Sequence, residues 1–99
     1  MLSKVPPKPK YIIEYTNKFD KDLQKLIKRG YDTKLLYSVI EDLSMSGKLP
    51  TNYKPHKLKG EYAGAWECHI KPDWLLVWKQ NDNELVLLML ATGTHSDLF

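Results

Sequence analysis

The sequence predicts a small two-layer α+β domain with an N-terminal strand, a helical hairpin and then a three-stranded antiparallel meander. Three observations predict it. Apolar residues recur at helical spacing through residues 19–43. The apolar period then changes to two from Trp66 onward. Short turn signals separate the later apolar runs, as a meander of adjacent strands requires. A chain of 99 residues has room for one core, so residues 1–99 are expected to form a single domain, with 1–9 as a flexible arm.

Each element follows from local chemistry. Val5-Pro6-Pro7-Lys8-Pro9-Lys10 reads as an extended, polyproline-like arm. Tyr11-Ile12-Ile13-Glu14-Tyr15 is rich in β-branched and aromatic residues and reads as a strand. Thr16 or Asn17 can cap a helix with Phe19, Leu23, Leu26 and Ile27 on one side, closed by Lys28, Arg29 and Gly30. Asp32 or Thr33 starts a second helix with Leu35, Leu36, Val39, Ile40 and Leu43 inward, ending at Gly47. Residues 48–63 hold Pro50, Pro55 and Gly60 without a sustained period, and read as a long connecting loop. Beyond it Trp66, Cys68 and Ile70 share one strand face while Glu67, His69 and Lys71 share the other. Pro72-Asp73 turns the chain into Trp74-Leu75-Leu76-Val77-Trp78, and Asn81-Asp82-Asn83 turns it into a strand over 84–90. The segment after that strand reads as a polar tail.

Composition narrows the function. With 42% apolar and 27% charged residues the chain is an ordinary globular sequence, and no apolar run is long enough for a transmembrane helix, so no membrane association is expected. The first ten residues lack the apolar stretch of a secretory signal. A single cysteine, Cys68, excludes an internal disulfide and fits a cytoplasmic location. The net charge of +3 hides an asymmetry: residues 1–60 carry +7 and residues 61–99 carry −4. The densest basic stretch runs from Lys48 to Lys59 and contains no carboxylate, a composition that suits a phosphate backbone as well as an ordinary solvated loop.

The chemistry-bearing residues are His56, His69 and His95, which alone titrate near neutrality without perturbation. Any one of them singly reads as an incidental surface histidine. Together, with Asp73 just beyond the His69 strand and lysines nearby, they form the set that metal-free RNA cleavage needs. One group takes the 2′-hydroxyl proton, cations meet the charge on phosphorus, and another group protonates the departing 5′-oxygen. A metal centre is the competing use of the same residue types, but no His-x-x-x-His or Cys-x-x-Cys spacing occurs, so neither metal nor other cofactor is expected. Cys68 shares the apolar face and reads as a buried structural thiol. Trp66 and Trp78 read as packing residues, and Trp74 by spacing alone does too, although its place after the turn would let it stack on a base.

Three stretches carry a family resemblance. They are Tyr53-Lys54-Pro55-His56-Lys57-Leu58-Lys59-Gly60, then Glu67-Cys68-His69-Ile70-Lys71-Pro72-Asp73-Trp74 with the run to Trp78, and Thr92-Gly93-Thr94-His95-Ser96-Asp97-Leu98-Phe99. In this order they resemble the RelE/ParE toxin superfamily, specifically its YafQ branch, over about residues 11–99. The resemblance implies a RelE-like microbial RNase-type fold. It also implies a type II toxin that cuts mRNA in a ribosome-dependent way and is silenced by a cognate antitoxin. Its partners would be that antitoxin, mRNA and ribosomal RNA.

Residue by residue, the resemblance implies catalytic roles for His56, His69, Asp73 and His95, with Trp74 and Phe99 as RNA contacts. It places Ala91 where the best-known member has an arginine. Either Lys54, Lys57, Lys59 or Lys71 supplies the missing cation, or cleavage is weak. The alternative on the same fold is a non-catalytic binder that inhibits DNA gyrase, for which the histidine set would have no use.

Overall fold

The computed structural model describes residues 8–99, so the first seven residues of the expected arm lie outside the described ones. The chain order is β1 (Ile12–Tyr15), α1 (Asn17–Lys28), α2 (Thr33–Ser46), β2 (His56–Lys57), β3 (Trp66–Lys71), β4 (Trp74–Asn81), β5 (Val86–Gly93) and α3 (His95–Leu98). Single 3-10 turns at Thr51–Tyr53 and Gly60–Tyr62 punctuate the connecting loop. The strands form one five-stranded sheet in the order β1-β5-β4-β3-β2. The meander β3-β4-β5 is antiparallel as expected, while β1 joins β5 in parallel. No helix among the described residues is long and apolar enough to cross a membrane.

The helix ends follow their capping chemistry. Thr16 Oγ1 accepts the Phe19 N–H at 3.0 Å to start α1, and Asp32 accepts the Lys34 N–H at 3.0 Å to start α2. Gly47 closes α2 in the left-handed conformation at φ 73°. A Cβ there would come within 2.6 Å of the Tyr11 hydroxyl, so glycine is required on two counts.

The sheet is covered on both faces. Phe19 and Leu26 of α1, with Leu36, Val39, Ile40 and Leu43 of α2, pack on Cys68, Leu76, Trp78, Leu87 and Met89. The second face is smaller: Leu75, Val77 and Ala91 are covered by Ala65, by Leu58 and Tyr62 of the loop, and by Leu98 of α3. Leu35 and Ile27, expected inward, remain partly exposed at the margins of their helices.

Two departures from the sequence reading build the site. The loop over 48–63 is not wholly irregular: His56 and Lys57 pair with β3 as an edge strand too short to show a period. The last segment is not a loose polar tail but a capped helical turn. Thr94 Oγ1 accepts the Asp97 N–H at 3.1 Å, and Asp97 Oδ2 accepts the Thr94 N–H at 2.9 Å. Gly93, at φ 157°, lets this turn fold back, because a Cβ there would meet the Asp97 side chain at 2.9 Å.

Candidate active site

Sheet register brings the histidines together. β2 runs antiparallel to β3 with His56 opposite Glu67, and His69 follows on the same strand face. His56 Nε2 lies 3.3 Å from Glu67 Oε1, and His69 Nε2 lies 3.9 Å from the same oxygen. Glu67 is only 5% exposed, so these two rings are the neighbours its carboxylate meets at the site. His56 Nδ1 lies 2.8 Å from the Lys54 carbonyl. A carbonyl oxygen only accepts, so Nδ1–H donates to Lys54 and Nε2 is the nitrogen that faces Glu67.

The β3–β4 turn and α3 supply the other half. His69 Nδ1 donates toward the Pro72 carbonyl at 3.3 Å, which leaves its Nε2 toward the site. Asp73 Oδ1 accepts both the backbone N–H of His95 at 2.9 Å and its ring Nδ1–H at 2.5 Å. That backbone N–H first, and the ring second, hold the Asp73 carboxyl below its ordinary range. His95 Nε2 is thereby the nitrogen left to exchange a proton. The three rings stand in a row, 6.2 Å from His56 to His69 and 5.9 Å from His69 to His95, between centroids.

α3 is fastened from across the molecule. Arg29, at the end of α1, donates from both terminal nitrogens to Asp97 at 2.7 and 3.0 Å. This guanidinium, then the Thr94 backbone N–H, keep the Asp97 carboxyl well below the ordinary range.

The four lysines separate. Lys54 and Lys71 line a cavity of about 240 Å³ that also holds His69. Lys57 turns back over the Trp66 ring at 5.6 Å, and Lys59 lines neither that cavity nor a larger neighbour. The larger cavity, about 530 Å³, opens between the α1–α2 turn and the β3–β4 turn and includes Asp73 in its wall.

The remaining expected residues fall on either side of the line between packing and presentation. Trp74 is 1% exposed, edge-on to Tyr31 at 5.0 Å, with its indole N–H on Thr92 Oγ1 at 3.0 Å. Its ring is therefore a packing element in this conformation, in line with its spacing and not with base stacking. Phe99 is 64% exposed and sits edge-on to Tyr62, with a face open to solvent. Ala91 is fully buried under Leu98 and beside Val77, so no cation reaches the site from that position. Cys68 is buried as expected, and burial, then the neighbouring Glu67, push its thiol up to about 12.

Sequence reasoning did not single out Glu67 or Arg29. Glu67 had a signal: it shares strand parity with His69, and it becomes decisive only once His56 is known to pair across from it. Arg29 had none, because its partner Asp97 lies 68 residues away.

Comparisons with known proteins place the chain in a family. Residues 11–99 match the family model described as bacterial toxin of type II toxin-antitoxin system, YafQ. The mRNA interferase toxin YafQ of Escherichia coli K12 is 38% identical over 88 residues, covering 88% of this chain and 94% of that protein. A metal-bound toxin from Helicobacter pylori is similar at 46% identity and a TM-score of 0.82, over 90% of this chain and 99% of that one. The toxin of the E. coli DinJ-YafQ toxin-antitoxin complex matches at 35% identity and a TM-score of 0.79, covering 91% and 98%. The chain thus belongs to the YafQ family of bacterial toxins of type II toxin-antitoxin systems.

Proposed function

We propose that this chain is an endoribonuclease, an mRNA interferase that cuts message on the ribosome by metal-free general acid–base catalysis. The observation that carries the reading is the Asp73–His95 pair facing His69 across a ring separation of 5.9 Å. Two proton-transfer groups on opposite sides of one phosphodiester are what the reaction needs.

In this mechanism His69 Nε2 takes the proton from the 2′-hydroxyl as that oxygen attacks phosphorus. His95 Nε2 gives a proton to the 5′-oxygen as the P–O bond breaks. The products are a 2′,3′-cyclic phosphate and a 5′-hydroxyl. Asp73 does not itself take up the proton; it fixes the tautomer and orientation of His95 and supports its imidazolium. His56, held against Glu67 and beside His69, helps to position the phosphate. Lys54 and Lys71 flank His69 and take the part that Ala91 leaves open. Phe99 offers a stacking face to a neighbouring base.

A site whose His56 and His95 rings are about half open to solvent suits a substrate already held in place, which is the ribosome's contribution. The basic segment from Lys48 to Lys59 would face ribosomal or messenger phosphates, with affinity falling as salt rises. A cognate antitoxin would silence the chain, as the DinJ-YafQ assembly suggests by likeness.

Primer extension on message from cells expressing the chain tests this reading. Discrete cuts within codons, absent on expression of His95→Ala, support it. Intact message alongside damaged DNA would favour the gyrase-inhibiting alternative instead.

A further inference from the structure

We propose that the 530 Å³ cavity beside Asp73 is a subsite for one nucleotide of the RNA strand, next to the bond that is cut; this rests on the nuclease reading above. Its position is the first argument. Arg29, Gly30 and Tyr31 form one wall, and Lys71, Asp73 and Trp74 form the other. Asp73 is common to the cavity and to the His95 pair, so an occupant here lies against the carboxylate that holds His95.

Charge is the second argument. Both carboxylates in the wall are already engaged, Asp73 by His95 and Asp32 by the Lys34 N–H that it caps. Arg29 uses two of its N–H groups on Asp97 and keeps others. The Lys71 ammonium has no hydrogen-bond or ion-pair partner among the described residues. The formal charges of the wall balance, Arg29 and Lys71 against Asp32 and Asp73, so the offer to a phosphate is local: this Lys71 ammonium and the remaining Arg29 N–H groups. Tyr31, half-buried and braced edge-on against Trp74, adds an aromatic wall suited to a base. The volume lies in the range of small-molecule sites and exceeds what a bare phosphate would fill.

A base read in this cavity would bias which sequences are cut. Lys71 belongs to both this cavity and the smaller one with His69, so it would bridge the nucleotide to the scissile phosphate.

The test is an NMR titration of the isotopically labelled chain with two probes: a nucleoside 3′-monophosphate, and a dinucleotide carrying a 2′-deoxy sugar so that it cannot be cut. The dinucleotide is expected to shift the Gly30, Tyr31 and Lys71 amides and the Trp74 indole N–H together with the His69 and His95 resonances, under one dissociation constant. Lys71→Gln and Tyr31→Leu should each weaken that binding by about fivefold or more while the spectrum stays dispersed. Three results would overturn the proposal: shifts confined to the histidine row, Lys71→Gln binding like the parent chain, or a mononucleotide filling the cavity while the dinucleotide leaves the histidines unmoved. The last would mean a free-nucleotide site. Binding does not depend on cleavage, so a chain that binds here yet leaves message intact would contradict the nuclease reading alone.

Discussion

His95 directs both its backbone N–H and its ring Nδ1–H at a single oxygen of Asp73, at 2.9 and 2.5 Å. One carboxylate therefore fixes the ring and the first turn of the helix that carries it. Asp73→Asn keeps the shape of that side chain but loses the charge and one acceptor orientation. Cleavage should fall by about 100-fold, within the range for losing proper acid–base support. Because Asp73 is exposed, the melting temperature should stay nearly unchanged. Parallel activity and thermal-melt measurements check both halves.

Glu67 joins His56 and His69 from a buried position on β3. Glu67→Gln preserves volume yet replaces an acceptor-only group with one that also donates. Activity should drop about tenfold, equivalent to roughly 1.4 kcal/mol of charge-assisted hydrogen bonding. Ring resonances of His56 and His69 should move while those of His95 hold. Equal movement of all three rings would contradict a separate role for this carboxylate.

The Arg29–Asp97 pair fastens the helix that carries His95. A carboxyl with a lowered folded-state pKa adds stability above its ordinary value and loses it as pH falls through the folded value. For Asp97 the ordinary value is 3.8 and the folded one lies lower, so the fastening is complete at neutral pH and fails only in strong acid. Hydrogen-exchange protection of the Leu98 amide should hold down to about pH 4, weaken progressively below it and be lost only in strong acid. Loss of protection between about pH 5 and 7 would contradict this assignment. Arg29→Ala should remove the protection at neutral pH while leaving global stability nearly unchanged, as loss of an exposed ion pair does.

Trp74 separates packing from stacking. Its ring fills the core beside Tyr31, and its indole N–H is satisfied by Thr92. Trp74→Ala should cost about 3–5 kcal/mol of stability, measured by denaturant unfolding. A role confined to RNA contact would leave the unfolding midpoint unchanged.

The contrast between elements explains what the sequence made legible. Helical period and capping residues located α1 and α2 within a residue, because those signals are local: Thr16, Asp32 and Gly47 each act on their own turn. The meander was legible for the same reason. β2 was not, since two residues carry no period and exist as a strand only through Glu67 and Trp66 opposite them. The helix at His95–Leu98 did have a local signal, the Thr94 and Asp97 pair of a capping box, hidden by its shortness. All three histidines were legible by residue type and by resemblance, whereas their row depends on register and on the Asp73 contact. Ala91 marks the opposite case. Its departure from the resembling protein is plain in sequence, yet only the structure reveals a small residue closed over by Leu98.

Single-turnover cleavage of message on programmed ribosomes tests the central claim most directly. Chain treated with EDTA and dialysed should cut at the untreated rate, and His95→Ala should cut at least about 100-fold more slowly while still binding ribosomes. The account would be contradicted by a His95→Ala rate within a few-fold of the parent, or by activity lost to EDTA and restored by zinc.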